Sequence, residues 1–444
     1  MALSPLQKIE SPLSSSPILN RQELYLRPDA SRVIVRPFKP ATEPRDLNPT
    51  DKTRANHIVD RILALSPEQA EHQLADVLEN FLGRHRNLLQ TFEARADEME
   101  DAFHDHSQFT KIQRQLIGAY FLSEYSFEAS ALFNPSIVPH PDQSGTTTGA
   151  LRFILSLRAV GEGHVSSLTF RTGLVGAEGT VSIDPTARLA SNPTVRRLGS
   201  GPDGEDVDVT FSSDEDISER VIFPITESQS NGIEDARFVK FTHSERTVYY
   251  ATYTAYSGRA IRSEIIETSD FITFRFSALR GSASHNKGMA LFPRKIDGRF
   301  AMIARQDNEN LYLIYSDDLY TWDGGTPILK PAAPWEFVQI GNCGSPIELD
   351  EGWLLLTHGV GPVRKYSIGA ALLDKNDPTK VLARLREPLL RPAPSEREGY
   401  VPNVVYTCGA MRHGDRIIFP YAISDSYSNI ATIDIRSLLA AMDK

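Results

Sequence analysis

The chain has 444 residues, 41% hydrophobic and 23% charged. This is the composition of a soluble globular protein, longer than one core usually serves, so one large domain plus an extension is expected. With 47 basic against 57 acidic residues the net charge is −10, which argues against a nucleic-acid binder. Any anion site must then be a local concentration of positive charge. Two cysteines, Cys343 and Cys408, argue against a disulfide framework, and no run approaches the roughly 18 to 20 apolar residues of a membrane span. The opening MALSPLQKIESPLSSSPIL has no apolar stretch behind a basic one, so a cytoplasmic protein without membrane partners is expected.

Residues 1–50, rich in Pro, Ser and Arg, read as an extended N-terminal arm with one strand candidate at 31–38. Residues 51–128 read as a helical extension. Ser66, Pro67 and Gln69 give a helix start: a cap, Pro at the first helical position, and Gln three residues after the cap. Leu74, Val77, Leu78 and Phe81 follow with the spacing of one helix face, and Gly83 is a candidate break. His104-Asp105-His106 suggests a metal, but histidines two apart face different sides of a helix, so solvated surface is the expectation and no metal is assigned. The helices could pack beneath the remaining domain or join copies into a homo-oligomer.

From 129 to 440 the pattern is strand and turn. Five six-residue runs recur: FILSLR at 153–158, YYATYT at 249–254, FAMIAR at 300–305, WLLLTH at 353–358 and IIFPYA at 417–422. Each is preceded by a leading strand candidate (134–138, 234–238, 286–293, 344–349 and 403–408) and followed by a second strand-like stretch such as SSLTFRT, SEIIETSD, LYLIYSDD or YSIGAALLD. Repeated strand units of this kind mark a radial or stacked β architecture, and five units imply five blades. Three runs end on Arg158, Arg305 and His358. If equivalent positions point the same way, these converge on one axis, and the uncharged ends Thr254 and Ala422 leave room for a ligand. The segment 176–230, rich in Gly, Asp, Ser and Pro, reads as outer strands of one blade with a surface insertion.

The densest polar cluster is Asn231-Gly-Ile-Glu-Asp-Ala-Arg237. Successive Glu234 and Asp235 should point to opposite sides of a strand, so one faces the channel. Either a carboxylate pairs with Arg237 to stabilise a turn, or a carboxylic acid sits in a sugar cleft, raised in pKa by burial. Asn286 and Lys287 open another unit. A lysine there usually snorkels to solvent, but beside Arg158, Arg305 and His358 it completes an anion pocket. Tyr253, Tyr256, Trp335, Tyr366 and Tyr400 either fill the core or stack on sugars. No phosphate-binding Gly-rich loop, dinucleotide fingerprint, zinc spacing or nucleophile elbow is present.

FNPSIV at 133–138, GIEDARF at 232–238, NKGMALFPRKIDGRFAMIAR at 286–305, IYSDDLYTW at 314–322 and the stretch from Gly352 through EREGYVPNVVYTCGA resemble glycoside hydrolase family 130. The resemblance runs in order over about residues 130–435. It implies an all-β fold, a five-bladed β-propeller with an N-terminal α-helical extension. It implies an inverting phosphorylase in which inorganic phosphate, a co-substrate with no organic cofactor, attacks a terminal β-mannoside of an oligosaccharide to give α-mannose 1-phosphate. Asp235 matches the family's acid, whose proton travels through a sugar hydroxyl, and Ala236 stands where the family usually has Pro. Arg158, Lys287, Arg305, His358 and Tyr366 match phosphate-binding positions. Asn134, Glu234, Arg237, Tyr253, Asn286 and Asp425 are assigned to the substrate, Asp425 by likeness to an Asp that holds the sugar. An inverting β-mannosidase acting on β-1,2 links would need a second carboxylate as base, for which Glu348, Glu396 and Glu398 are candidates. A noncatalytic carbohydrate-binding propeller is the third reading.

Overall fold

The structure is a computed structural model and describes residues 18–42, 52–99, 109–201, 204–243 and 246–443. It forms two compact units. One holds the described part of Met1–Asp29 with Glu128–Thr186 and Pro193–Lys444, and the other holds Ala30–Phe127 with Ala187–Asn192. The arm expected over residues 1–50 is therefore divided. Leu19–Arg21 is a strand of the first unit, in register Leu19↔Ile433, whereas the strand expected at 31–38 is Ile34–Pro37 of the second, paired with Leu122–Tyr125. Local composition does not carry such long-range pairing, because register is set by the partner strand.

The second unit contains α1 (Arg54–Leu63), α2 (Pro67–Phe81), α3 (Leu88–Glu98) and α4 (Lys111–Tyr120). Thr53, Ser66 and Thr110 each close a reciprocal capping box, the Ser66–Gln69 pair being the one the sequence announces. α2 stops at Phe81, just before Gly83. Leu74 of α2 packs with Val59, Ile62, Ala96, Leu116, Ile117 and Phe121 in one core. His104-Asp105-His106 lies outside the described residues. Among the described residues no helix is long and apolar enough to cross a membrane.

The first unit is predominantly β. All five recurring runs are strands, flanked by antiparallel neighbours. Three sheets carry the runs at 300–305, 353–358 and 417–422. An eleven-stranded sheet carries the other two, and its halves meet where Gly232 bridges Ser166 in parallel. The sheets pack face to face in sequence order. Ile154 and Phe170 meet Phe238 and Ala251, Phe241 and Ile265 meet Met302 and Ile314, Ile303 and Leu313 meet Trp353 and Leu355, and Leu354 and Ile368 meet Phe419 and Ile433. Ala422 of the last sheet then packs with Ala131, Phe133 and Val160 of the first. Strands covered on both faces are apolar at every position, which is why Trp353–Val360 is buried throughout and shows no alternation.

The segment 176–230 is shared between two units rather than belonging to one. Val181–Ile183 and Val221–Ile222 pair with Ser166–Val175, while the hairpin Thr194–Gly201 and Gly204–Thr210 extends the sheet beyond Thr273–Ala278.

Candidate active site

A cavity of about 490 Å³ in the first unit gathers side chains from every one of these sheets. Its wall is built from residues that face each other across the leading strand and the run that follows it. The pairs are Phe133↔Arg158, Glu234↔Thr254, Gly341↔His358 and Tyr406↔Ala422. Arg305 makes the fifth position, its Cβ 3.9 Å from where a Cβ on Gly288 would lie. Directly opposed residues have their Cβ atoms about 5 Å apart, so a long side chain on one strand favours a compact partner on the other. Gly341 is an extreme case: a Cβ there would come within 2.2 Å of the His358 ring.

Glu234 and Asp235 both face the cavity, against the expectation from strand alternation. The register shifts between Glu234 and Arg237, and Asp235 takes a left-handed backbone with φ 54°. A bulge inserts an extra residue and re-aims side chains, which is how neighbours share one face. Asn134, at φ 47° in a matching bulge between Phe133 and Ser136, donates from Nδ2 to Asp235 Oδ1 at 2.7 Å. Arg158 donates to Glu234 Oε1 at 2.7 Å and to the same Asp235 oxygen at 3.4 Å. Its guanidinium, lying over the Phe133 ring, is thus committed to the carboxylates, rather than free for phosphate as the sequence suggests. Arg237 Nη1 donates to the backbone carbonyl of Asp235 at 3.0 Å and Nη2 to the Tyr406 hydroxyl at 2.7 Å.

Burial alone would raise the Asp235 carboxyl, as the sequence reading supposes. Arg158, Arg237 and Lys287, with the Asn134 hydrogen bond, outweigh burial and hold it below the usual carboxylate range. Asp425 is the carboxyl that burial does raise: with Asp235 adding to the effect and Arg158 opposing it, it is pushed up to about 7. Like Asp235 it has a left-handed backbone, φ 48°.

Lys287, Arg305 and Arg364 also line the cavity, none in an ion pair among the described residues. Arg305 Nε is buried without a hydrogen-bond partner, as are Nε of Arg158 and Arg237. His358 stacks on Tyr366 at 5.8 Å and meets Tyr406 edge-on at 4.9 Å. Burial, then Arg305 and Arg237, push its imidazole well below the ordinary 6.5, so the ring is neutral at pH 7. Five cations (Arg158, Arg237, Lys287, Arg305 and Arg364) face three carboxyls (Glu234, Asp235 and Asp425), leaving a formal +2 for an anionic ligand.

Two residues assigned to the substrate lie elsewhere. Tyr253 is 1% exposed, donates to Glu264, accepts from Gln229 Nε2 at 2.7 Å and packs in the core. Its place one residue before Thr254 gives it the opposite strand face. Asn286 instead ties a loop, donating to the Gln306 carbonyl and to Asn308 Oδ1. Of the five aromatics considered for stacking, only Tyr366 lines the cavity. None of the candidate bases lines it: Glu348 pairs with Arg294, Glu396 with Arg21, and Glu398 is exposed. Sequence reasoning missed Tyr406, Asn342 and Arg364. Arg364 had a signal, since Val160-Gly-Glu-Gly-His164 and Val360-Gly-Pro-Val-Arg364 follow corresponding strands and both end in left-handed residues.

The mostly-β unit and its cation-lined carboxylate cavity define a carbohydrate-active site, and comparison with known proteins agrees. A family model described as β-1,4-mannooligosaccharide phosphorylase matches residues 208–444. A 1,2-β-oligomannan phosphorylase of Thermoanaerobacter sp. (strain X514) is 35% identical over 48% of this chain and 72% of its own. A β-1,2-mannobiose phosphorylase of Listeria innocua is 33% identical over 46% of this chain and 58% of its own. The crystal structure of a β-1,2-mannobiose phosphorylase from Listeria innocua with β-1,2-mannobiose superimposes with a TM-score of 0.52 at 21% identity, over 70% of this chain and 92% of that one. The chain belongs to glycoside hydrolase family 130. Asn134 and Arg158 precede the matched stretch, and geometry alone ties them to the site.

Proposed function

We propose that this protein is an inverting β-mannoside phosphorylase on a five-bladed β-propeller, the blades being the five strand units and the cavity their common axis. The observation that carries the reading is the charge of the cavity. Asp235 and Glu234 line it together with Lys287, Arg305 and Arg364, none of which is in an ion pair among the described residues. Cations that line one cavity without counter-ions, Arg305 among them buried, repel one another, and hydrogen phosphate has the charge the cavity lacks. The face-to-face packing from the first sheet through to the last and back supports the ring of blades.

In the reaction, phosphate held by these cations attacks the anomeric carbon of the terminal mannosyl unit. The C1–O bond to the leaving sugar breaks as the new C1–O–P bond forms on the opposite face. Asp235 gives its proton to the departing oxygen, directly or through a sugar hydroxyl, and recovers one from the phosphate ester. Its Oδ1 is occupied by Asn134 and Arg158, and Oδ2 has no protein partner among the described residues. In the empty cavity the surrounding cations keep Asp235 ionised, and an incoming dianion offsets them. Phosphate binding therefore loads the acid with the proton it needs. Positioning of the two reactants and proton donation are the two terms the geometry supplies.

Incubation with short β-mannosides tests the reading, with α-mannose 1-phosphate appearing only when inorganic phosphate is present. Free mannose released at the same rate without phosphate would make the protein a hydrolase. Cys343 and Cys408, buried and unpaired, suit the reducing cytoplasm, where we place the enzyme. We assign self-association to the helical unit, whose groove of about 500 Å³ is lined by Val77, Phe81, Leu88, Phe92 and Tyr120. Sedimentation of the wild type against Phe81→Glu checks that assignment.

A further inference from the structure

Asp235 holds a left-handed backbone, φ 54°, inside a strand, and the contacts around it fix that geometry. The bulge sets the strand register but leaves the Asp235 carbonyl pointing out of the ladder. That carbonyl accepts from Arg237 Nη1 at 3.0 Å. Arg237 is 3% exposed and makes no carboxylate ion pair among the described residues. Its other terminal nitrogen donates at 2.7 Å to the hydroxyl of Tyr406, 169 positions away on another sheet, and its Nε has no partner.

Tyr406 is itself fixed. It is 8% exposed, lies edge-on to His358, and stands opposite Ala422, whose single methyl leaves space for the phenol. Burial keeps the phenol protonated well above its ordinary range, so it does not become a counter-ion for Arg237. The neutral hydroxyl can orient the guanidinium without neutralising it.

We propose that Tyr406 is a positioning residue for the acid. Its hydroxyl holds Arg237 in the orientation that clamps the Asp235 carbonyl, and thereby keeps the Asp235 carboxyl turned into the cavity. The inference rests on the phosphorylase reading for what the acid does, and on geometry for how it is held. Without the hydroxyl, Arg237 has two buried nitrogens lacking acceptors, and the nearby Asp235 carboxylate is the acceptor that can satisfy them. The guanidinium then turns from backbone to side chain, draws the carboxylate toward itself and strengthens the attraction that favours ionisation.

Tyr406→Phe tests this. We expect kcat to fall about ten- to a hundred-fold while KM for phosphate stays within about threefold, and the basic limb of the pH profile to move to lower pH. Arg237→Lys, which keeps the charge but cannot bridge both partners, should lose a similar factor. The double variant should lose no more than the worse single one. Cleavage is scored as total glycosidic bonds broken, with and without phosphate, so hydrolysis would overturn the phosphorylase reading while leaving the Tyr406 effect measurable. Independently of turnover, the carbon-13 titration of the Asp235 carboxyl, assigned by its loss in Asp235→Asn, should move to lower pH in Tyr406→Phe. If Tyr406→Phe fails to fold, the same titration in Arg237→Lys decides. An unmoved carboxyl titration, or additive losses in the double variant, overturns the proposal.

Discussion

Asp425→Asn isolates the cost of keeping a carboxyl ionised at the cavity wall. Asp425 is half-buried beside Asp235, and its carboxyl is raised from 3.8 to about 7. The folded state therefore binds this proton more tightly than the unfolded chain. The stabilisation it confers is complete below about pH 3.8 and is lost as pH rises through about 7. At about 1.4 kcal/mol per pH unit the difference is slightly above about 4 kcal/mol, and solvent in the cavity lowers it to about 2–4 kcal/mol. Asn has nearly the same shape, carries no charge and tolerates the left-handed backbone at φ 48°, so the substitution removes the titration with little new strain. Urea unfolding in phosphate-free buffer is the assay. Asp425→Asn should be more stable than the wild type at pH 8, and the advantage should shrink toward pH 5. An equal effect at both values would show that Asp425 does not titrate in this window, and the description of its environment would be wrong.

Sulfate, whose charge is fixed between pH 5 and 8, should bind more tightly as pH falls, because an anion on Lys287 and Arg305 releases Asp235 and Asp425 to take up protons; calorimetry in buffers of different ionisation enthalpy measures the uptake directly. Lys287→Ala should raise KM for phosphate about tenfold or more and leave the affinity for the mannoside nearly unchanged, read from initial rates with each substrate varied in turn. Gly341→Ala places a methyl within 2.2 Å of the His358 ring and should cost about 1–3 kcal/mol of stability while weakening phosphate use. Restoring room by His358→Ser in the same chain should recover the stability but not the phosphate affinity.

The strands were legible because burial on both faces writes itself into composition: WLLLT and FILSL need no alternation to be recognised. The Ser66 cap was legible because its partners lie three residues apart. Alternation failed at Asp235, where a bulge and a positive φ bring neighbours to one side, and nothing in the order Glu-Asp-Ala-Arg announces a bulge. Alternation would have succeeded at Tyr253, which lies out of phase with Thr254 and belongs to the core. Burial suggested a raised carboxyl, but it acts on Asp235 and Asp425 alike. The difference is made by Arg158, Arg237 and Lys287, far apart in sequence, which only the assembled cavity brings together.

The two uncharged run ends change meaning once register is known. Thr254 and Ala422 stand directly opposite Glu234 and Tyr406 on the leading strands, and their small side chains leave room for those two. Where the run ends in His358 the opposite residue is Gly341, and where it ends in Arg305 it is Gly288. Phe133 is the exception: it is large, yet Arg158 is accommodated by lying over its ring. Each unit thus contributes one long polar side chain to the cavity from a fixed position, from the run at Arg158, Arg305 and His358 and from the leading strand at Glu234 and Tyr406. A reading that follows only the runs finds Arg158, Arg305 and His358. Following the opposed pairs also finds Glu234 and Tyr406, because at about 5 Å between Cβ atoms two long side chains rarely share one cross-strand position. The acid's neighbour and its proposed positioning residue therefore belong to the same five-fold set as Arg158, Arg305 and His358, and the tie from Tyr406 through Arg237 connects that set to Asp235.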